Sequence, residues 1–276
     1  MSANLWQAVL LMTIVADLVH AVEELAPPSL AEDWDNVGLQ VGAPADPVTG
    51  VTLAVDATSE VVAQAQVAGC SAVLAHHPLI FRPLTTLASG NPPLDAAVEL
   101  IRAHMALYVA HTNLDKATTV GTPLALARAV GLQDAPGAPE DEPAAPAALW
   151  RRGYLPEPVA LGSFAQDVAT RLGADVRVIG DLGRMVRRIA VVPGAGGDMA
   201  GTVAEASAEV LLTGELKHHE ALEARGRGLA VIAAGHLATE RPVLAVLKQQ
   251  LEQMLPGLRI CIAEEKPLET VVSGRQ

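Results

Sequence analysis

Aromatic side chains are scarce in this chain, at 3% of 276 residues, so a core built on large rings is excluded and burial must come from aliphatic groups. Half of the residues are apolar, mostly Ala, Val and Leu, which suits tight packing of helices on a sheet. Cysteine is nearly absent. Cys70 and Cys261 lie in or beside apolar runs, which excludes a disulfide framework and predicts a reducing, cytoplasmic setting. Basic residues are also few, 19 against 31 acidic ones, for a formal charge of −12. That field repels phosphate backbones and anionic lipid, and the one basic cluster, Arg184, Arg187 and Arg188, is too small to reverse it, so neither nucleic acid nor membrane is an expected partner. No apolar run reaches the roughly 20 residues of a membrane span. The longest near the start, Leu5 to Val15, has no basic flank before it and meets Asp17 and His20 after it. Met12 opens a segment, TIVADLVHAVEELAPP, with helical apolar spacing and a Pro-Pro stop, so residues 1–11 read as an extension or as the product of an alternative start.

A chain of this length favours two domains. The stretch DAPGAPEDEPAAP, rich in Pro, Ala and acid, has no apolar period and reads as a solvated linker. The expected division is therefore a first α/β domain over residues 1–133, a linker over 134–150 and a second α/β half over 151–276. In the first, VTLAVDA (51–57), SAVLAH (71–76) and ALYVAH (106–111) are short strands separated by helical stretches, the pattern of a largely parallel sheet. The second repeats the order: RRIAVVPG (187–194) answers VTLAVDA, AEVLLTGELKHH (208–219) answers SAVLAHH, and LAVIAAGHLATE (229–240) answers ALYVAHTNLD. SFAQDVATRLG and ADVRVIGD add a helix and a strand at its opening. The fold class predicted is α/β, with two similar three-layer domains facing each other around a shared dinuclear metal site.

Histidines gather at the ends of these strands, where ligands bind in open α/β sheets. His76 and His77 precede Pro78, which ends the strand and lets a turn aim both rings into one crevice. His111 and Asp115 follow the next strand, and His236 and Glu240 repeat that spacing after Gly235, with i, i+4 placing both groups on one helix face. Core or helix-capping histidines are the plainer alternative for each pair. Four imidazoles and two carboxylates exceed what one Zn²⁺ needs and match two divalent ions per chain, with Zn, Fe, Mn, Ni or Co all compatible with imidazole and carboxylate.

Other candidates surround this set. Asp56, at the end of the first strand, is either a general base or the orienting partner of a ligand histidine. His218 and His219 open a helix at the position the repeat assigns to His76 and His77; they are either a proton shuttle (His218) and an anion-binding group (His219) or a polar helix start. Trp34, Asp35 and Asn36, in AEDWDNVGLQVG, form either a substrate-binding rim loop or a turn anchored by Trp34. Gly194, Gly196 and Gly197 can cradle a phosphate, although a lone glycine cluster is a weak signal. His20 and His104 sit within amphipathic helices and read as surface or satisfied interior groups.

Taken in order, DWDNVGLQVG, LAHHPLIF, HTNLDKA, LLTGELKHH and GHLATERP resemble the NGG-one-interacting-factor-three-like family, whose members are known as GTP cyclohydrolase I type 2 homologs or dinuclear metal centre proteins. The resemblance runs from about Met12 to about Leu268. It implies a two-domain α/β fold, a ring-shaped hexamer and a dinuclear metal site held by His76, His77, His111, Asp115, His236 and Glu240. The stretch after Asp115 departs from the family pattern, and the distance from Asp115 to Gly214 is too short for the inserted domain of longer relatives. The function expected is a dinuclear-metal-dependent hydrolase acting on a nucleotide or related phosphorylated small molecule. The alternative is a non-catalytic metal-binding, metal-delivery or scaffold protein; turnover that requires the metal discriminates the two.

Overall fold

A computed structural model describes residues 12–90, 94–133 and 149–268. Residues 134–148 of the predicted linker, and residues 1–11, lie outside the described residues. The chain forms two compact units: one runs to Leu114 and takes in Leu247–Glu265, the other spans Asp115–Val246.

The first unit contains α1 (Val15–Leu25), β1 (Gly38–Val41), β2 (Gly50–Ala54), α2 (Ser59–Val67), β3 (Ala72–Ala75), α3 (Leu94–Arg102) and β4 (Ala106–Val109). The helix α4 (Thr112–Asp115) leads into the second unit, with α5 (Thr122–Ala129), β5 (Arg151–Ala160), α6 (Leu161–Leu172), β6 (Arg177–Ile179) and β7 (Met185–Val192). There follow α7 (Ala200–Glu205), β8 (Val210–Thr213), α8 (His218–Gly226), β9 (Ala230–Ala233) and α9 (His236–Glu240). The helix α10 (Pro242–Met254) carries the chain back to the first unit, which closes with β10 (Arg259–Ile262).

Each unit holds a five-stranded sheet, ordered β1-β4-β3-β2-β10 in the first and β5-β7-β8-β9-β6 in the second. The strands β2, β3 and β4 are parallel, as are β7, β8 and β9, and each is buried along its whole length in β2–β4, β8 and β9. Strands covered on both faces have no reason to alternate in polarity, which is why they read as continuous apolar runs. In the first sheet Val73, Ala75, Leu107 and Val109 face α2 and α3. The intervening Tyr108 turns to the opposite face, where its hydroxyl donates to Glu23 of α1. In the second, Ile189, Val191, Val210, Leu212 and Ile232 pack on α5 and α6, while Ala190, Leu211 and Val231 pack on α7 and α8. Both units are thus three-layered, and small residues such as Ala54, Ala65, Ala75 and Ala96 bring helix close to sheet.

Three strands were not evident in the sequence. GLQV lies in what reads as a turn, yet forms the antiparallel edge strand β1. The strand β5 contains Pro156 and Pro158, and its pairing with β7 is irregular between Tyr154 and Val159; an edge strand tolerates prolines because one side of its backbone needs no partner. The division at residues 134–150 groups RICI with the second half, but this four-residue segment pairs in parallel with β2 as β10. So short a strand carries no periodic signal of its partner.

Candidate metal centre

The backbone of His76 and His77 continues the parallel ladder, donating to the carbonyls of Ala54 and Val55, before Pro78 stops it. His111 follows β4, and its amide donates to Asn113 Oδ1, while Asn113 Nδ2 donates to the Ala26 carbonyl. This turn at the start of α4 fixes His111 beside the strand-end histidines. The three rings lie 5.1 to 5.5 Å apart between centroids, and one ligand nitrogen from each falls within 4.8 Å of the others.

Each ring is oriented through Nδ1. His76 donates to the Ala110 carbonyl, His77 to Asp56 and His111 to Asp35, all at 2.9 Å. Carbonyls and ionised carboxylates only accept, so Nδ1 is the donor in each bond, and whenever such a ring is neutral its lone pair is on Nε2. Three imidazoles so prepared are a fit donor set for a divalent ion of the borderline class, because a histidine ligand with its second nitrogen bound to oxygen is held in tautomer and raised in basicity.

Asp35 has its side chain withdrawn from solvent. Burial raises its pKa, but hydrogen bonds from His111 and from the Thr112 hydroxyl and amide outweigh that and hold it well below the usual carboxylate range. Its position is fixed further by Thr112, whose hydroxyl also accepts from the Glu32 amide. Asn36 donates through Nδ2 to the Ile80 carbonyl, so it secures the loop after Pro78. Trp34 is exposed, with its ring 6.3 Å from that of His111. Of the three predicted rim residues, two are thus engaged within the protein. Asp56, predicted as base or orienting partner, accepts from His77, and its own amide is held by Glu265, which accepts from Val55 and Asp56 at 2.8 Å each. Asp115 closes α4, one helical turn beyond His111.

In the second unit His236 opens α9 after Gly235, which has a φ of +88°. Its Nδ1 lies 3.0 Å from Glu215 and its Nε2 lies 3.2 Å from Glu240, one helical turn on. Glu215 was missed from the sequence, although strand register reveals it. Ala54 pairs with Ala75 and Val192 with Thr213, so the residues matching His76 and His77 are Gly214 and Glu215, not His218 and His219. The shared His-His dipeptide is misleading: His218 and His219 are exposed at the start of α8, and His219 lies 3.9 Å from Glu220.

The glycine cluster has a steric role. A Cβ on Gly194, where φ is +64°, would lie 2.3 Å from Glu240 Oε1 and 3.1 Å from His236 Nε2; one on Gly197 would lie 2.2 Å from Glu220 Oε2. These glycines make room for carboxylates, and a surround of acid does not suit the phosphate that the weak glycine signal allowed there.

The family model for Duf34/NIF3 (NGG1p interacting factor 3) matches residues 13–267. The chain belongs to that family. It is 36% identical to a GTP cyclohydrolase 1 type 2 homolog from Streptomyces coelicolor, over 88% of this chain and 87% of the relative. A Clostridium perfringens protein of the same name is 30% identical over 87% of this chain and 91% of its own. Among solved structures, a Bacillus cereus protein related to NIF3 shares the fold with a TM-score of 0.85, at 24% identity, covering 95% of this chain and 100% of that one. The mixed α/β fold is that of the NIF3 proteins, and among the described residues no helix is long and apolar enough to cross a membrane.

Proposed function

We propose that the chain is a dinuclear-metal-dependent hydrolase acting on a nucleotide or a related phosphorylated small molecule. The imidazole trio carries this reading: three Nε2 atoms made ready as ligands at strand carboxyl ends, each through an Nδ1 bond to oxygen. The names of its relatives point the substrate class toward nucleotides.

In this reading His76, His77, His111 and Asp115 join His236 and Glu240 as ligands of two divalent ions, with Zn, Fe, Mn, Ni and Co all acceptable to such donors. Two such ions supply Lewis acidity toward substrate oxygens and bring the pKa of a water toward neutrality. The chain's contribution is orientation. Ala110, Asp56, Asp35 and Glu215 hold the Nδ1 side of the four rings, and Glu265 holds the backbone of Asp56. Asp56 is therefore assigned to positioning His77; the roles of His218 as proton carrier and His219 as a contact for an anionic substrate rest on the sequence reading alone, since strand register puts Glu215 where the repeat had put them. The ring-shaped hexamer is part of the same proposal, and sedimentation velocity tests it.

The deciding experiment is mass spectrometry of products after incubating metal-defined protein with GTP and a nucleotide panel, beside Asp115→Ala. A product formed by the metal-loaded wild type and lost in the variant supports the hydrolase. Retention of two ions per chain with no turnover of any nucleotide would overturn it in favour of metal binding or delivery.

A further inference from the structure

In a chain with three Trp, two Tyr and two Phe, the placement of each ring is informative. Tyr108 and Phe164 are in the core. Trp34 and Phe81 are 59% and 44% exposed, yet adjacent, with centroids 6.0 Å apart and planes inclined by 57°. Trp34 also meets His111 edge-on at 6.3 Å. Two exposed rings side by side present an apolar, planar surface to solvent, on which another flat ring can stack.

The loops bearing these rings are tied together beside them. Asn36, two residues after Trp34, donates to the carbonyl of Ile80, the residue before Phe81. Gln40 donates to the same carbonyl at 3.2 Å and accepts from the Ile80 amide at 2.8 Å, and also donates to the Asn36 carbonyl at 2.9 Å. Asp35, next to Trp34, is fixed by Thr112 and His111. The loops that carry the aromatic pair are thus tied to each other before any ligand arrives, which lowers the ordering cost of binding.

We infer that Trp34, buttressed by Phe81, is a stacking platform for a planar heteroaromatic ring, the base of a nucleotide, beside the imidazole cluster. A sandwich between the two rings is excluded. Each stacked layer needs about 3.5–4 Å, so two need roughly 7–8 Å, more than the 6.0 Å between the centroids. The base therefore stacks on the exposed indole, with Phe81 as the side wall. Stacking is tolerant of base identity because every base offers a π face. Selectivity here is for a ring over none.

This inference rests on the nucleotide reading above but is tested by binding rather than turnover. Titration calorimetry of the metal-loaded protein compares GMP with ribose 5-phosphate, which has the sugar and phosphate but no ring. GMP should bind the wild type more tightly. Trp34→Ala should weaken GMP roughly 5- to 150-fold and leave ribose 5-phosphate unchanged, Trp34→Phe should keep most of the affinity, and Phe81→Ala should show a smaller loss than Trp34→Ala. Equal affinity for the two probes, no binding of GMP, or a parallel loss of both probes in Trp34→Ala would each overturn the platform. Tight, Trp34-dependent GMP binding without turnover would uphold the platform and sink the hydrolase; turnover with GMP affinity unaltered by Trp34→Ala would do the reverse.

Discussion

The two units share one plan, three parallel strands beside an antiparallel one, but they equip their strand ends differently. After β3 stand His76 and His77; at the same register after β8 stand Gly214 and Glu215. The offset differs too, since His111 precedes α4 whereas His236 is the first residue of α9. The first unit therefore supplies imidazoles backed by oxygen, and the second supplies one imidazole flanked by carboxylates, with glycine in the tight places. A repeated fold thus sets where ligands are mounted, while the residue at each mount sets which kind of donor it offers.

That contrast is open to test, beginning with the ligands. His111→Ala should lower metal affinity by more than about 100-fold, whereas Glu215→Gln, which only loosens His236, should cost about 10- to 100-fold. Metal analysis after dialysis against a graded chelator distinguishes them, and equal losses would mean that Glu215 is itself a ligand. Next in size is Gly194→Ala, which meets Glu240 and an unfavourable φ. It should cost about 2 kcal/mol or more in urea unfolding and also weaken metal retention. Gly226→Ala, near the end of α8 with open space around it, should change stability by no more than about 1 kcal/mol in either direction. Similar losses in both would refute the clearance assigned to Gly194.

A smaller effect separates the units by pH. At equivalent strand starts, Ser71 Oγ accepts from the Thr49 amide in the first unit, and Glu209 accepts from the Arg187 and Arg188 amides in the second. Burial raises the Glu209 pKa, but those two bonds and the nearby Arg188 outweigh it, leaving the carboxyl below its ordinary 4.5. Its stabilisation is complete above that ordinary value and is lost as pH falls through the lower, folded one. Unfolding monitored below pH 4.5 should show a shallower pH slope in Glu209→Gln, and an unchanged slope would remove Glu209 from the account. Smallest is Thr58→Ala. The Thr58 hydroxyl accepts from the Val61 amide at the start of α2, so its loss should cost about 1 kcal/mol, while α7 begins without any side-chain cap. A neutral Thr58→Ala would show that tertiary packing alone holds α2.

Much of this was legible in the sequence. The apolar runs of β2, β3, β4, β8 and β9 announced buried parallel strands because both faces are covered, and the histidines at their ends announced the clustering of His76, His77 and His111. The orienting groups were harder. Asp35 is 76 residues from His111, and Glu265 is 209 residues from Asp56. Such partners follow from the packing of loops that carry no periodic pattern. Glu215 is an exception, recoverable by aligning the repeats on strand register instead of on the shared His-His pair. Of the edge strands, β6 was visible in ADVRVIGD, whereas β1, β5 and β10 were hidden by the turn-like glycines around GLQV, by the prolines of β5 and by the shortness of RICI.

The return of the chain through α10 to β10 also places the strands of the first sheet at opposite ends of the order of synthesis. The second unit, Asp115–Val246, is translated before the fifth strand of the first sheet. Until Arg259–Ile262 emerges, β2 is a bare sheet edge, a template for pairing with other nascent chains. Glu265, three residues past β10, is the clamp on the backbone of Asp56, and Asp56 steers His77. The orientation of His77 thus depends on a residue translated long after it, whereas His76 and His111 take theirs from Ala110 and Asp35, close to them in the order of synthesis.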